Sequence, residues 1–175
     1  MKTVKHIVVI GGESTGKSTL CKALARHYQT VWVPERARSY LEERGGVYQA
    51  EDLPRMLEQQ LKQTAAMARH ARRWLFCDTD AEVYRVWSEH KYGFCDRSIL
   101  DAVVHERPDG YLLCSPDLPW EPDPLREHPE PQWREYFFRY YLQILAEKEI
   151  PFAIIKGQQQ ERLLQSIQWL DTLNG

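Results

Sequence analysis

Short apolar runs alternate with segments of helical periodicity along the whole chain. A run of apolar, often β-branched residues is typical of a strand buried on both faces, as in a parallel sheet. Repeated strand–helix units in turn favour a parallel sheet with helices on both of its faces. The runs predict five strands, near residues 5–10, 30–33, 74–78, 110–114 and 152–156.

Three longer segments carry apolar side chains three and four positions apart, the spacing of one face of a helix. The first runs from Pro54 to Arg73 and should cross over the sheet. The second, from Trp133 to Lys148, is rich in aromatic residues, and their spacing favours core packing over a ligand cage. The third closes the fold. It carries Leu163, Leu164, Ile167, Leu170 and Leu173.

The segment between the fourth strand and the aromatic helix differs from the rest of the chain. Six prolines fall between Cys114 and Gln132, alongside acidic residues and Trp120. Proline removes a backbone donor and breaks regular elements, so no helix or strand is expected there. The sequence therefore predicts a proline-rich lid at about residues 115–132 on a three-layer α/β fold, with residues 1–175 forming one domain.

Composition narrows the class of protein. The 23 Lys and Arg residues nearly balance 25 Asp and Glu residues, and the net charge of −2 gives no general attraction to nucleic acid or membrane. The four cysteines form no C-x-x-C pair, which argues against a zinc site and a disulfide scaffold. With no signal peptide or apolar run of membrane length, we expect a soluble cytoplasmic protein; its oligomeric state stays open.

A complete phosphate-binding motif, G-x-x-x-x-G-K-S/T, follows the first predicted strand. The order strand, glycine-rich loop, helix is the context that this P-loop requires. Successive backbone N–H groups would bind the phosphates of ATP or another nucleoside triphosphate, Lys17 would reach the β- and γ-phosphates, and Ser18 would ligate Mg²⁺. The loop comprises Gly11, Gly12, Glu13, Ser14, Thr15, Gly16, Lys17, Ser18 and Thr19.

Carboxylates at the ends of two strands are candidates for the metal and the acceptor. Asp78 ends an apolar strand, as in a Walker B element, and would hold Mg²⁺ through water beside Ser18. Asp80 could support the metal, face the acceptor, or cap the helix that begins near Thr79, and these alternatives stay open. Glu35 follows the second strand, where a carboxylate could orient an acceptor hydroxyl or accept its proton.

Three arginines near these carboxylates could bind substrate or phosphate. Arg36 and Arg38 follow Glu35 and could clamp the substrate, or could form a solvated first helical turn. We expect the lid to close over the phosphates and to carry Arg126 inward as a charge-stabilising contact, with Trp120 near the acceptor. The alternative is a rigid surface loop in which Arg126 pairs with a nearby glutamate.

Four segments, taken in order, resemble a known family. They are the P-loop, the Pro-Glu-Arg-Ala-Arg at 34–38, the Cys-Asp-Thr-Asp at 77–80, and Asp-Leu-Pro-Trp at 117–120 with Asp-Pro-Leu-Arg at 123–126. This set is similar to the ribosylnicotinamide kinase domain of the NAD-biosynthesis regulator family, an AAA-type ATPase. The resemblance covers nearly the whole chain, and only the P-loop is highly specific by itself.

The resemblance implies a kinase that uses ATP and Mg²⁺ to phosphorylate the ribose 5′-hydroxyl of nicotinamide riboside, giving nicotinamide mononucleotide. It implies a small-molecule nucleoside substrate, with neither nucleic acid nor membrane as a partner. Larger members of the family also carry an adenylyltransferase domain and sometimes a DNA-binding domain, and neither is expected in these 175 residues. The alternatives are a kinase for another nucleoside or nucleoside monophosphate, and a regulatory nucleotide-binding ATPase.

Overall fold

A computed structural model describes residues 4–173 and contains a central sheet of five parallel strands. The sheet order is β2-β3-β1-β4-β5, so β1 lies in the middle and pairs with β3 and β4. The predicted five-stranded parallel sheet is therefore confirmed. The strands are β1 (Lys5–Ile10), β2 (Trp32–Val33), β3 (Trp74–Asp78), β4 (Gly110–Cys114) and β5 (Phe152–Ile155).

Seven helices connect and cover the strands. They are α1 (Lys17–His27), α2 (Arg36–Glu43), α3 (Asp52–Ala68), α4 (Ala81–Tyr92), α5 (Arg97–His105), α6 (Pro131–Glu147) and α7 (Gln159–Thr172). Within residues 4–173, none of these helices has the length and apolarity needed to cross a membrane.

The helices form a layer on each face of the sheet, which confirms the three-layer prediction. On one face, Leu24 of α1 and the apolar side of α7 pack against Val9. On the other face, Val86 of α4 and Leu145 of α6 pack against Val8. A third cluster joins α2, α3, α4 and α5 beside the sheet. Neighbouring residues of β1 thus face opposite layers, which is why its sequence is a continuous apolar run.

Several details differ from the prediction: β2 is limited to Trp32–Val33, and three of the helices depart from their predicted bounds or buried face. The helix α3 ends at Ala68 rather than Arg73, because the chain must turn before it enters β3. The helix α6 begins at Pro131, inside the segment predicted to be irregular. Proline is favourable at the first helical position, where its missing N–H would have no helical partner. In α7, Leu164 is 53% exposed while Arg162 is buried, so the buried face is not the all-leucine face.

The strand order fixes where a ligand can bind. The chain leaves β1 toward β2 and β3 on one side and then crosses to β4 on the other side. Ligands of open α/β sheets bind at such a switch point, beyond the carboxyl ends of the strands. The P-loop follows β1, Asp78 ends β3, and the lid follows β4. All three therefore border the same crevice.

Asp80 is the N-cap of α4. Its carboxylate accepts hydrogen bonds from the Glu82 backbone N–H at 3.0 Å and from the Tyr111 hydroxyl at 2.6 Å. Burial raises the pKa of Asp80 to about 6. Of the three roles left open by the sequence, the structure supports capping.

We predict that Asp80→Ala lowers the free energy of unfolding by about 1–2 kcal/mol, because α4 loses its cap and the Tyr111 hydroxyl loses its partner. Urea denaturation measures this change. Asp96→Ala is the matched control, since Asp96 caps α5 at an exposed position and should cost less. A raised KM for the acceptor with unchanged stability would contradict the capping role.

Candidate active site

A large cavity of about 980 Å³ opens at the carboxyl ends of the strands. Its walls come from the P-loop, the cavity-facing side of α2, one face of α4, the lid and the middle of α6. This volume lies at the upper end of the range typical of small-molecule sites. The cavity can therefore hold two ligands, such as a nucleotide and an acceptor.

The backbone shape of the P-loop requires glycine at two positions. Gly11 has a φ of +150°, and a Cβ atom there would lie 2.9 Å from the Cys114 carbonyl oxygen. Gly16 has a φ of +79°, and its Cβ atom would lie 2.9 Å from a methyl group of Leu118. Lys17 reaches back over the loop, and its Nζ donates to the Gly12 carbonyl at 2.8 Å. The Lys17 side chain and the backbone of the loop thus contact each other through this hydrogen bond.

Ser18 and Asp78 lie side by side beneath the P-loop. The Ser18 hydroxyl donates to Oδ2 of Asp78, whose side chain is almost completely buried. The other oxygen, Oδ1, is buried and has no hydrogen-bond partner within residues 4–173. A buried carboxylate oxygen without a donor is costly unless a cation or water satisfies it. The hydroxyl and carboxylate oxygens are the donor set that Mg²⁺ prefers, so the residues present fit this metal.

Glu35 occupies the junction between β2 and α2. It lines the cavity and, although it is the N-cap of α2, its side chain makes no capping bond. Burial, with repulsion from the Asp78 carboxylate, raises the pKa of Glu35 to about 7. Burial also raises the pKa of Asp78, against the opposing charge of Lys17. Two neighbouring carboxyl groups with raised pKa values beside a cavity are typical of a functional site.

The two arginines after Glu35 point in different directions. Arg36 turns away from the cavity, where its guanidinium donates to Gln59 at 2.8 Å and to Ser39 at 2.5 Å. Arg38 lines the cavity and pairs with Asp123 of the lid at 2.6 Å. Residues two positions apart in a helix lie on different faces, so only one of the two can reach the ligand.

The lid has no helix or strand between 115 and 130, and it is docked on the P-loop. Glu13 accepts hydrogen bonds from the backbone N–H groups of Glu127 and His128, each at 3.0 Å. Arg126 lies in the cavity wall, where it donates to the Glu121 carbonyl and, at 3.4 Å, to the Ser14 hydroxyl. The structure thus brings Arg126 beside the loop that would hold the phosphates.

Three predicted substrate residues lie outside the cavity lining: Arg36, Asp80 and Trp120. Arg36 bonds to α3, and Asp80 caps α4. Trp120 instead packs beneath the guanidinium of Arg126, whose carbon lies 5.6 Å from the ring centroid. These three side chains contact other parts of the protein, so this geometry does not support the prediction that they face the acceptor.

Two buried arginines that the sequence analysis missed hold the P-loop from behind. Arg134 of α6 donates to the carbonyl oxygens of Ser14 at 3.0 Å and Leu118 at 2.9 Å. Arg162 of α7 donates to the Thr15 carbonyl at 2.8 Å. There was no clear signal for Arg162 in the sequence, because its neighbours three and four positions away are polar: Gln158, Gln159, Gln165 and Ser166.

Comparison with protein families identifies the family to which this chain belongs. A family model described as an AAA domain matches residues 6–162, which is most of the chain. The chain belongs to the AAA domain family. Together with the order of the P-loop, the β3 carboxylate and the lid, this match confirms the AAA-type ATPase assignment.

The chain is also similar to curated regulators of NAD biosynthesis. It is 28% identical over 158 residues to the trifunctional NAD biosynthesis/regulator protein NadR of Salmonella typhimurium, and 26% identical over 178 residues to that of Escherichia coli. These alignments cover 87% and 98% of this chain but only 38% and 43% of the relatives. The predicted resemblance to this family is confirmed, and the chain spans less than half the length of these relatives.

Solved structures show the same fold. A NadR protein in complex with NR superposes with a TM-score of 0.77 at 23% identity, and one in complex with NAD and AMP-PNP with a TM-score of 0.80 at 24%. Each covers 98% of this chain, which spans 52% and 50% of those proteins. Thymidylate kinase from Ehrlichia chaffeensis follows at 0.68 and 16% identity, covering 95% of this chain and 98% of its own. The fold is that of the P-loop kinases.

We predict that Arg126→Ala lowers kcat by roughly 10³-fold if its guanidinium stabilises the transferring phosphoryl group, as an arginine finger does. Steady-state kinetics at saturating ATP measure the change. The control is Arg139→Ala, which removes an exposed arginine from α6 that pairs only with Glu135. Equal kcat values for both variants would show that Arg126 serves only the lid.

Proposed function

We propose that this protein is a kinase that transfers the γ-phosphoryl group of ATP to the ribose 5′-hydroxyl of nicotinamide riboside, giving nicotinamide mononucleotide. The observation that carries the proposal is that Lys17, Ser18 and Glu35 line one cavity and that Ser18 is bonded to the buried carboxylate of Asp78 behind them. Similarity to NadR proteins, one of them solved in complex with NR, supports the choice of acceptor.

Ser18 and the free oxygen of Asp78 would hold Mg²⁺. When bound, the metal ion would offset the negative charge of the phosphates. Lys17 would exchange its bond to the Gly12 carbonyl for the phosphate oxygens, because a charged acceptor bonds more strongly than a neutral one. These residues position the phosphates and offset their charge. They take no part in covalent chemistry.

Glu35 would orient the acceptor hydroxyl and accept its proton. A base with a pKa near 7 is half-ionised at neutral pH, the range in which general bases work best.

The proposal is tested by incubating the purified chain with Mg-ATP and single nucleosides, and by identifying the products by mass spectrometry. We expect nicotinamide mononucleotide and ADP in equal amounts from nicotinamide riboside. Lys17→Ala should abolish the reaction and keep the melting temperature, since its ammonium contacts only the loop. Preferred use of another nucleoside or a nucleoside monophosphate, or ATP hydrolysis alone, would overturn the assignment.

We predict that kcat/KM for the acceptor decreases as the pH is lowered through about 7, because protonation of Glu35 removes the proton acceptor. Glu35→Gln should lower acceptor phosphorylation by roughly 10²- to 10⁴-fold and should flatten this limb of the pH profile. Rates measured from pH 5.5 to 9 with both proteins provide the comparison.

Glu43→Gln is the matched control, because Glu43 lies at the end of the same helix and is mostly exposed. It should leave the pH profile unchanged. If the Glu35 variant kept the rate within a factor of about two, Glu35 would be only a helix-start residue.

A further inference from the structure

A cluster of polar side chains lies where the last turn of α4 meets the lid. Lys91 of α4 donates from Nζ to Oε1 of Glu127 at 2.7 Å and also to the Tyr48 hydroxyl. Tyr48 donates to the same Oε1 at 2.8 Å and accepts a bond from the Trp87 ring nitrogen at 2.8 Å. Lys91 and Glu127, which we call the rim pair, both line the cavity.

The rim pair stands at the position that the base of a bound nucleoside would reach. The helix α4 starts three residues after Asp78 and lines the cavity from Val83 to Lys91. Eight residues of helix span about 12 Å, a length comparable to that of a nucleoside. An acceptor whose hydroxyl lies at Glu35, beside Asp78, therefore has its base directed along α4 toward the rim pair.

The wall between the two ends of the cavity suits a flat ring. Leu41 of α2, Trp87 of α4 and Leu125 of the lid line it. Such a wall binds an apolar or aromatic ring through contact area and gives no hydrogen bonds to distinguish one substituent from another. Selection among related rings must therefore come from polar groups at its edge, where the rim pair lies.

The rim pair keeps one acceptor and one donor available. Both hydrogen bonds to Glu127 go to Oε1, and Oε2 receives none from the residues that the structure describes. The Lys91 ammonium has three protons and uses two of them. The two side chains are 34% and 37% exposed, so a ligand can reach both.

Glu127 is ionised at neutral pH. Burial pushes its pKa upward, but the bonds from Lys91 and Tyr48 outweigh that effect and hold the pKa below its usual range. The free oxygen of Glu127 is therefore an acceptor with a negative charge. It can bind an N–H group and repels another carboxylate.

We propose that the rim pair selects an acceptor whose ring carries a carboxamide over one that carries a carboxylate. A carboxamide offers one carbonyl acceptor to Lys91 and one N–H donor to Glu127, which matches the free groups of the pair. A ring carboxylate lacks the donor and places a negative charge against Glu127. Specificity then comes from a repulsive element as well as an attractive one. This inference rests on the proposed kinase function and names its acceptor specificity.

The test compares nicotinamide riboside with nicotinic acid riboside, which differ only in this substituent. For the unmodified protein we expect kcat/KM to favour the carboxamide by at least about tenfold, since a ring carboxylate places its negative charge against Glu127 and offers it no donor. Glu127→Gln should reduce that ratio by at least about tenfold, because a glutamine amide can donate to a carboxylate. The carboxylate acceptor should gain in absolute kcat/KM.

The control variant is Glu130→Gln, which changes the same charge at the exposed start of α6, where the side chain makes no capping bond. It should leave the ratio unchanged. Dissociation constants of both nucleosides, measured by calorimetry without ATP, should change in the same direction as the kinetic ratio.

Two outcomes separate this inference from the proposed function. If nicotinamide riboside is phosphorylated and Glu127→Gln slows both acceptors equally, Glu127 only ties the lid to α4, so the inference is overturned while the kinase function stands. If neither nucleoside binds or reacts, both are overturned. A changed ratio in kinetics and in binding supports the rim pair as the specificity determinant.

Discussion

The buried guanidinium of Arg162 is the interaction on which the site depends, because it joins the loops that follow three strands. It donates to the carbonyl oxygens of Thr15 after β1 at 2.8 Å, Ser115 after β4 at 3.0 Å and Gly157 after β5 at 2.7 Å, and it also pairs with Asp117. A buried charge is tolerated only when its donors are satisfied in this way. Removal of the guanidinium would leave three carbonyl oxygens without their donor, at a cost of about 1–3 kcal/mol each. The carboxyl edge of the sheet therefore behaves as one unit that presents the P-loop.

The same arrangement explains how the backbone of the P-loop can present its N–H groups to an anion. Arg134 binds the carbonyl oxygen of Ser14, and Arg162 binds that of Thr15. In a trans peptide the carbonyl of one residue and the N–H of the next point in opposite directions. Cations that hold the carbonyl oxygens on one side therefore leave the following N–H groups on the other side, available to phosphate oxygens. The two buried arginines would thus contribute to the proposed phosphate binding by orienting these peptides.

The sequence was informative wherever a local pattern decides the structure, and less so wherever distant contacts decide it. The strands β1, β3 and β4 lie at their predicted residues, because strands buried on both faces are continuous apolar runs. Asp78 and Asp80 are carboxylates two positions apart, so the sequence alone does not distinguish their roles. The structure does, because the packing of β4 brings the Tyr111 hydroxyl to Asp80, which caps α4. Arg162 is 147 residues from its partner Thr15, so no window of the sequence could have paired them.

The lid has two parts whose contacts differ in strength: a base held by buried groups, and a tip whose contacts a ligand can replace. The base, near Ser115 and Leu118, is held by Arg162 and Arg134, whose guanidinium groups are buried. The tip is held by Glu13, by the bonds of Lys91 and Tyr48 to Glu127, and by the pair between Arg38 and Asp123, in which Arg38 is 51% exposed. A pair exposed to this degree contributes about 0–1 kcal/mol, which a charged ligand can readily replace. Arg38 and Glu13 both line the cavity, so a ligand that engages either side chain would release one tie of the tip. Under the proposed function, the tip would therefore move when substrates bind, while the base keeps the P-loop in place.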